Sequence, residues 1–259
     1  MIAFVSKIAK SYGRDSIRTH SSSAAFYIVV SALPLIAILI FTLTFLSPDL
    51  VTEFESLIKA FLPKEFYKEV YSIIAGIKER RLPFLVPFSI VTALWGSTKG
   101  IEALCHGVEA VYKTNHKTGI IAKWLKTAWR TLLFYLAIFG TLFIFAIGKF
   151  FSSSSIFITV IVKLRVIIFA ALLSVFFTLF YSRLGNTSFK NHILGGILST
   201  LGWMAFTYFY SMYVSYAIST ANIYAEMGSI IFFMLWVYFC VNIILVGAEI
   251  NKAVNPSVL

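Results

Sequence analysis

The chain has 259 residues, of which 59% are hydrophobic and only 13% charged, with 26 phenylalanines and a formal net charge of +11. So little charge in a chain this long excludes an ordinary soluble domain and points to a helical bundle in a membrane. The excess of Lys and Arg then reads as the cytoplasmic bias of membrane proteins rather than as a nucleic-acid surface. Two cysteines, Cys105 and Cys240, carry no CxxC partner, so neither a disulfide framework nor a zinc site is indicated.

Residues 1–20 lack the apolar core and cleavage site of a signal peptide and are expected to be retained at the cytoplasmic face. Within them Phe4, Ile8 and Tyr12 recur at helical spacing among Lys7, Lys10, Arg14 and Arg18. This suits either a helix in the headgroup region or a plain cytoplasmic flank. The first span is expected at 22–46, and Pro34 inside it predicts a kink near Val30 and Ser31, structural or gating. Its small start, Ser21 to Ala25, allows close helix approach.

Residues 48–81 show two amphipathic periods around Pro63 with balanced charge, and predict a helical hairpin outside the membrane. The second span, 82–100, is expected to continue as an amphipathic helix through Tyr112. There Ile101, Leu104, Cys105, Val108, Val111 and Tyr112 form one stripe, and Lys99, Glu102, His106, Glu109 and Lys113 the other. Gly96 and Gly100 make a GxxxG that predicts a packed helix crossing. A strongly basic connection (Lys113, Lys117, Lys123, Lys126, Arg130) leads into a third span at 129–150. The fourth is expected at 157–181, with Lys163 and Arg165 near the outer interface, and the fifth at 193–218.

The sixth span, 228–250, is the most apolar. Between Glu226 and Glu249 it holds no charge, and at ~1.5 Å per residue it crosses a ~30 Å hydrocarbon core. Asn242 and Glu249 lie seven residues apart, close to two turns, and so share a face that must look away from lipid. Six spans put both termini on one side, and the short-loop bias in Lys and Arg makes that side cytoplasmic. The fold class expected is therefore all-α, a single polytopic membrane domain.

No GxSxG, P-loop, GxGxxG or HExxH occurs, and the four histidines are scattered, so no catalytic residue, metal or cofactor is assigned. The polar residues near the membrane are the candidates for a substrate path: Glu249, Asn242, Asn251, Glu226, Asn222, Lys99, Glu102 and Arg130. Each has a plainer alternative. Glu249 is also placed to pair with Lys252 at i+3, and Asn242 to join helices.

Three stretches together carry a resemblance: SSSAAFYIVVSALPL (21–35), GSTKGIEALCHGVEAVY (96–112) and MGSIIFFMLWVYFCVNIILVGAEINKA (227–253). They resemble the YihY/BrkB family of bacterial inner-membrane proteins over nearly the whole chain, with GAEIN (247–251) the most specific element and the Ser31–Pro34 tetrapeptide the next. Family members often carry Arg where this chain has Lys99, which keeps the charge and loses bidentate geometry. The resemblance implies six spans in the bacterial cytoplasmic membrane, with links to envelope integrity, serum resistance and lipid export. The family's historical ribonuclease label finds no carboxylate cluster or His pair here to carry it. Two readings follow: a transporter or flippase for an amphipathic anionic substrate such as a lipid, without its own ATPase, or a non-catalytic scaffold for the envelope. Membrane lipids are the expected partners, with a homo-oligomer or an envelope protein as further ones and no nucleic acid.

Overall fold

A computed structural model of the chain describes residues 2–46, 85–114, 156–220 and 225–255, together with Thr52, Glu55, Tyr71 and Ala75 singly. The expected hairpin at 48–81 and the third span at 129–150 lie outside these residues, apart from those four. The described residues are helical, with no strand among them: α1 (Ile2–Arg14), α2 (Ile17–Leu46), α3 (Leu85–Tyr112), α4 (Ile156–Gly185), a short 3-10 turn (Phe189–His192), α5 (Ile193–Thr220) and α6 (Ala225–Val254). The all-α class expected from composition is what the chain adopts. Among the described residues, three stretches are long and apolar enough to cross a membrane: Val166–Gly185, Phe189–Val214 and Ile231–Val254.

The helix ends differ from the sequence expectation in instructive ways. The basic N-terminal helix stops at Arg14, because Ser16 takes a left-handed conformation (φ 50°) and turns the chain. The next helix then begins at Ile17, five residues before the expected start of the first span at 22. The α3 helix runs unbroken from the apolar segment into the amphipathic one, as its periodicity predicts. Its 28 residues amount to ~42 Å, longer than a hydrocarbon core. It closes on Lys113 at φ 53°, with Thr114 N–H bonded to the Glu109 carbonyl at 3.1 Å.

The chain divides into two compact units. One comprises Met1–Ser21, Ile101–Met204 and Val241–Leu259. Its apolar interior includes Ile17, Leu104, Val108, Phe177, Leu184, Ile244, Leu245 and Ala248. Small residues set the spacing here: the missing side chain of Gly107 is filled by Leu245 and His20, and that of Gly185 by Tyr112 and His192.

The other unit comprises Ser22–Gly100 and Ala205–Cys240. Here α2 and α3 cross at the GxxxG: Gly96 faces Ser31, and Gly100 faces Ile28 and Ala24 so closely that a Cβ would meet the Ile28 side chain at 2.9 Å. Tyr27 meets Trp95 edge to face. Ser31 sends its hydroxyl back to the Ile28 carbonyl at 2.9 Å, just before Pro34. Tyr210 and Val214 are buried among Phe206, Phe232, Phe233 and Trp236, and Tyr210 donates to the Phe232 carbonyl at 2.7 Å. Phe88, Val91, Leu94 and Trp95 on α3, and Tyr208, Phe209, Met212 and Tyr213 on α5, face outward and uncovered. A lipid surround accounts for such large exposed apolar residues.

Candidate functional site

The described polar groups of the first unit gather into two adjoining networks, one charged and one neutral. Both are organised by the last two turns of α6, where Glu249, Asn251 and Lys252 are all buried. Buried polar groups need partners, and most of those that serve these side chains come from other elements.

The charged network is built around Asp15, in the turn between α1 and α2. Lys252 Nζ contacts Asp15 Oδ2 at 2.5 Å across 237 residues of sequence. Arg14 adds a fork, Nε to Oδ1 at 2.9 Å and a second guanidinium nitrogen to Oδ2 at 3.3 Å, while also reaching the Ser11 hydroxyl. Burial works to raise the Asp15 carboxyl, but hydrogen bonds from Arg14, Glu249 and Lys252 outweigh it and hold the group well below the usual carboxylate range. Glu249 is served differently. Its Oε2 is 3.6 Å from Lys252 Nζ, and its buried Oε1 has no hydrogen-bond partner among the described residues. Its side chain is only 1% exposed. Nearly two turns earlier on the same face, Asn242 donates to the Tyr12 hydroxyl at 2.8 Å and to Ser21 Oγ at 3.4 Å. The shared face that the spacing of Asn242 and Glu249 predicts is thus turned toward the end of α1 and the start of α2.

The neutral network ties the start of α5 to the end of α6. Gly195 stands in the first turn of α5, where backbone N–H groups lack an intrahelical acceptor, and donates to Asn251 Oδ1 at 2.7 Å. The Asn191 carbonyl just before it accepts from Asn255 at 2.7 Å, so two residues of the α6 terminus cap the start of α5 from outside. That assignment fixes the Asn251 amide, whose nitrogen then donates to Tyr112 Oη at 3.3 Å. Tyr112 Oη is in turn hydrogen-bonded to His192 Nδ1 at 3.2 Å, and His192 Nε2 to Thr187 Oγ1 at 2.6 Å. Burial pushes the Tyr112 phenol upward, so it remains a neutral donor at any physiological pH. Beside this chain Tyr181 donates to the Ile244 carbonyl at 2.7 Å and lies 2.8 Å from Ser199 Oγ. Gly195 and Gly247 let the helices meet closely enough for all of it, since a side chain on either would overlap its neighbours' backbone or polar atoms.

Of the residues singled out from sequence, Glu249, Asn251 and Asn242 come together in this unit. Glu102 is half-buried on α3, 3.5 Å from His106, which also reaches Glu109 at 3.2 Å. Lys99 is exposed on α3, and Pro34 lies within α2. Glu226 falls in the first turn of α6, and Asn222 and Arg130 lie outside the described residues. Asp15, Tyr112, Tyr181, His192 and Gly195 were not among the sequence candidates. Among the described residues no three His, Cys, Asp or Glu side chains form a group that could hold a metal ion.

The polar end of α6 that organises both networks contains the GAEIN segment on which the sequence resemblance rests most firmly. Comparison with known proteins agrees with it. The family described as "Virulence factor BrkB" matches residues 8–257. A relative from Bacillus subtilis (strain 168), "Putative ribonuclease-like protein YfkH", is 24% identical over 264 residues, covering 98% of this chain and 96% of its own. No solved structure matches. With the family matched from α1 to the residues beyond α6, the chain belongs to the BrkB family, as a helical integral membrane protein.

Proposed function

We propose that the protein is a transporter or flippase for an amphipathic anionic substrate such as a lipid, without an ATPase of its own. The observation that carries this reading is the buried charge at the end of an apolar, membrane-length helix: Glu249, Lys252 and Asp15 are each under a tenth exposed. Ionisable groups inside a membrane bundle are costly and are kept where they serve a path or a relay. In this reading the basic residues Lys99, Lys113 and Arg130 gather a headgroup at the cytoplasmic rim, and Glu249 with Asn242 serves the path beyond. The protein sits in the bacterial cytoplasmic membrane as six spans with both termini cytoplasmic, as the Lys and Arg bias supports.

The test is translocation of a fluorescent phospholipid in proteoliposomes of the purified protein, beside an unrelated six-span protein and Glu249→Gln. Movement seen with wild type and lost in Glu249→Gln supports the path; no movement above the unrelated protein removes passive flipping. A second reading, a scaffold for envelope assembly, draws support from the bonds by which Asn242 and Asn251 join helices. It predicts that the polar residues affect stability alone and that a protein partner co-purifies. The word ribonuclease belongs to the printed name of the Bacillus relative; we read this chain as non-enzymatic, and RNA cleavage by the purified protein, with and without divalent cations, decides that point.

A further inference from the structure

We propose that Glu249 is the seat of an exchangeable proton, buried beside the Asp15 carboxylate around the shared Lys252 ammonium. Two buried acids, Asp15 and Glu249, face one buried base, Lys252. The base is committed: its short contact is to Asp15, and Glu249 lies 3.6 Å away. Arg14 also spends its fork on Asp15 and is itself more than half exposed. Asp15 therefore has two cationic partners, while Glu249 has one distant partner and an oxygen, Oε1, with none among the described residues.

An isolated carboxylate in such a place costs several kcal/mol unless it is paired, hydrogen-bonded or neutralised. The two carboxyl groups also share one ammonium, since Lys252 Nζ lies 2.5 Å from Asp15 Oδ2 and 3.6 Å from Glu249 Oε2. Two carboxylates on one buried cation repel one another, and such neighbours titrate as a unit. Transfer of one proton from water to Glu249 removes that repulsion, and it cancels the excess negative charge against Lys252. The other groups facing Glu249 do not replace it. Tyr112 on α3 is near enough to interact with Glu249 but is hydrogen-bonded to His192 and Asn251, and Arg14 at the end of α1 reaches it only through the field.

A proton site at the end of an apolar helix is the chemistry of ion coupling. That coupling rests on the transport reading; the proton site itself does not.

The experiment that tests the site is infrared difference spectroscopy of the full-length protein in lipid nanodiscs, titrated from about pH 5 to about pH 9. The expected result is a protonated-carboxyl band that shifts in D2O, disappears as the pH rises and is missing from Glu249→Gln. In Asp15→Asn the midpoint of that band moves. Absence of the band in wild type at every pH makes the cluster a fixed ion-pair network and overturns the proposal, as does a band that survives in Glu249→Gln. A midpoint that moves when choline is replaced by sodium makes the carboxyl a metal-cation ligand, and overturns it too. The wild-type spectrum alone decides the first point, whether or not the variants fold.

Coupling is tested separately, with a fluorescent phosphatidylglycerol in proteoliposomes under an imposed pH gradient. Translocation that follows the gradient in wild type but not in Glu249→Gln supports coupling. Translocation indifferent to the gradient overturns coupling and leaves the transport reading standing. No translocation under any condition overturns the transport reading and with it the coupling, while the infrared result still decides the proton site.

Discussion

Replacing Asn251 by Ala removes the side chain that caps α5 from α6, and the consequences can be followed bond by bond. Two hydrogen bonds disappear, from the Gly195 N–H at 2.7 Å and to Tyr112 Oη at 3.3 Å. Between membrane helices such bonds average about 0.6 kcal/mol each, and about 1 kcal/mol in water-based proteins. The larger cost lies with what is left behind. The Gly195 N–H belongs to the first turn of a helix and is buried, and an unpaired buried donor costs about 1 to 3 kcal/mol. The sum is about 3 kcal/mol, a shift of roughly a hundredfold in the folding equilibrium. The matched control is Asn255→Ala, which gives up one half-buried bond to the Asn191 carbonyl and is expected to lose about 1 kcal/mol. Both are measured by reversible unfolding in mixed micelles, with hydrogen exchange at the Gly195 amide as a local readout. If Asn251→Ala loses under about 0.5 kcal/mol and Gly195 keeps its protection, the capping account is wrong.

Glycine positions supply a second, paired expectation. Gly195→Ala puts a Cβ into the Asn251 amide and the Gly247 carbonyl, and backbone cannot yield as a flexible side chain can, so a loss of about 1 to 3 kcal/mol or more is expected in the same unfolding assay. Gly13→Ala, with nothing within 4 Å, is expected to be neutral or to gain up to about 1 kcal/mol from helix propensity. A third expectation concerns pH. Burial, helped by His106, holds His20 below its ordinary 6.5, and Asp15 is held below 3.8 by Arg14, Glu249 and Lys252 against the opposing effect of burial. A group depressed in the folded state binds fewer protons there than in the unfolded chain, so its contribution is complete above its unfolded value and fades as the pH falls. The stability of wild type relative to His20→Gln should therefore decline as the pH drops below 6.5, and relative to Asp15→Asn only below 3.8. A wild-type advantage over either variant that grows on acidification contradicts the sign.

How much of this was legible in the sequence depends on whether the cause was local. Period and composition suffice for α3, where the stripe from Ile101 to Tyr112 continues the apolar run before it, and for the Gly96–Gly100 crossing, where small residues announce close approach. The common face of Asn242 and Glu249 follows from helix geometry alone. Asp15 could not be found that way. Its meaning comes from Lys252, 237 residues away, and in the sequence it is one acid in a basic segment with no helical partner of note. Tyr112, Tyr181 and His192 were hidden for a related reason. In an apolar chain a tyrosine reads as an interfacial anchor, and only the neighbouring helices show that its hydroxyl closes a buried bond. The pair Gly195–Gly196 carried a usable signal, since a glycine in the first turn of a helix can approach another backbone, but its capping partner is not encoded nearby.

The same polar face of α6 serves two purposes that are separable in principle. Asn242 and Asn251 are hydrogen-bonded to other elements, and their loss is felt as stability. Glu249 differs, because it is as buried as Asn251 and yet has an oxygen with no partner among the described residues. A purely structural role would favour replacing the ionic cluster with apolar residues, which often pack as well and cost nothing to desolvate. The clustering of one under-satisfied acid with a fully satisfied ion pair is therefore better explained by what the acid can exchange than by what it holds together. On that account Glu249→Gln is the least disruptive substitution in the cluster, removing the charge and the exchangeable proton while keeping shape. Substitution of Lys252 by Met, in contrast, leaves Asp15 with Arg14 alone and unties the α1–α2 turn from α6.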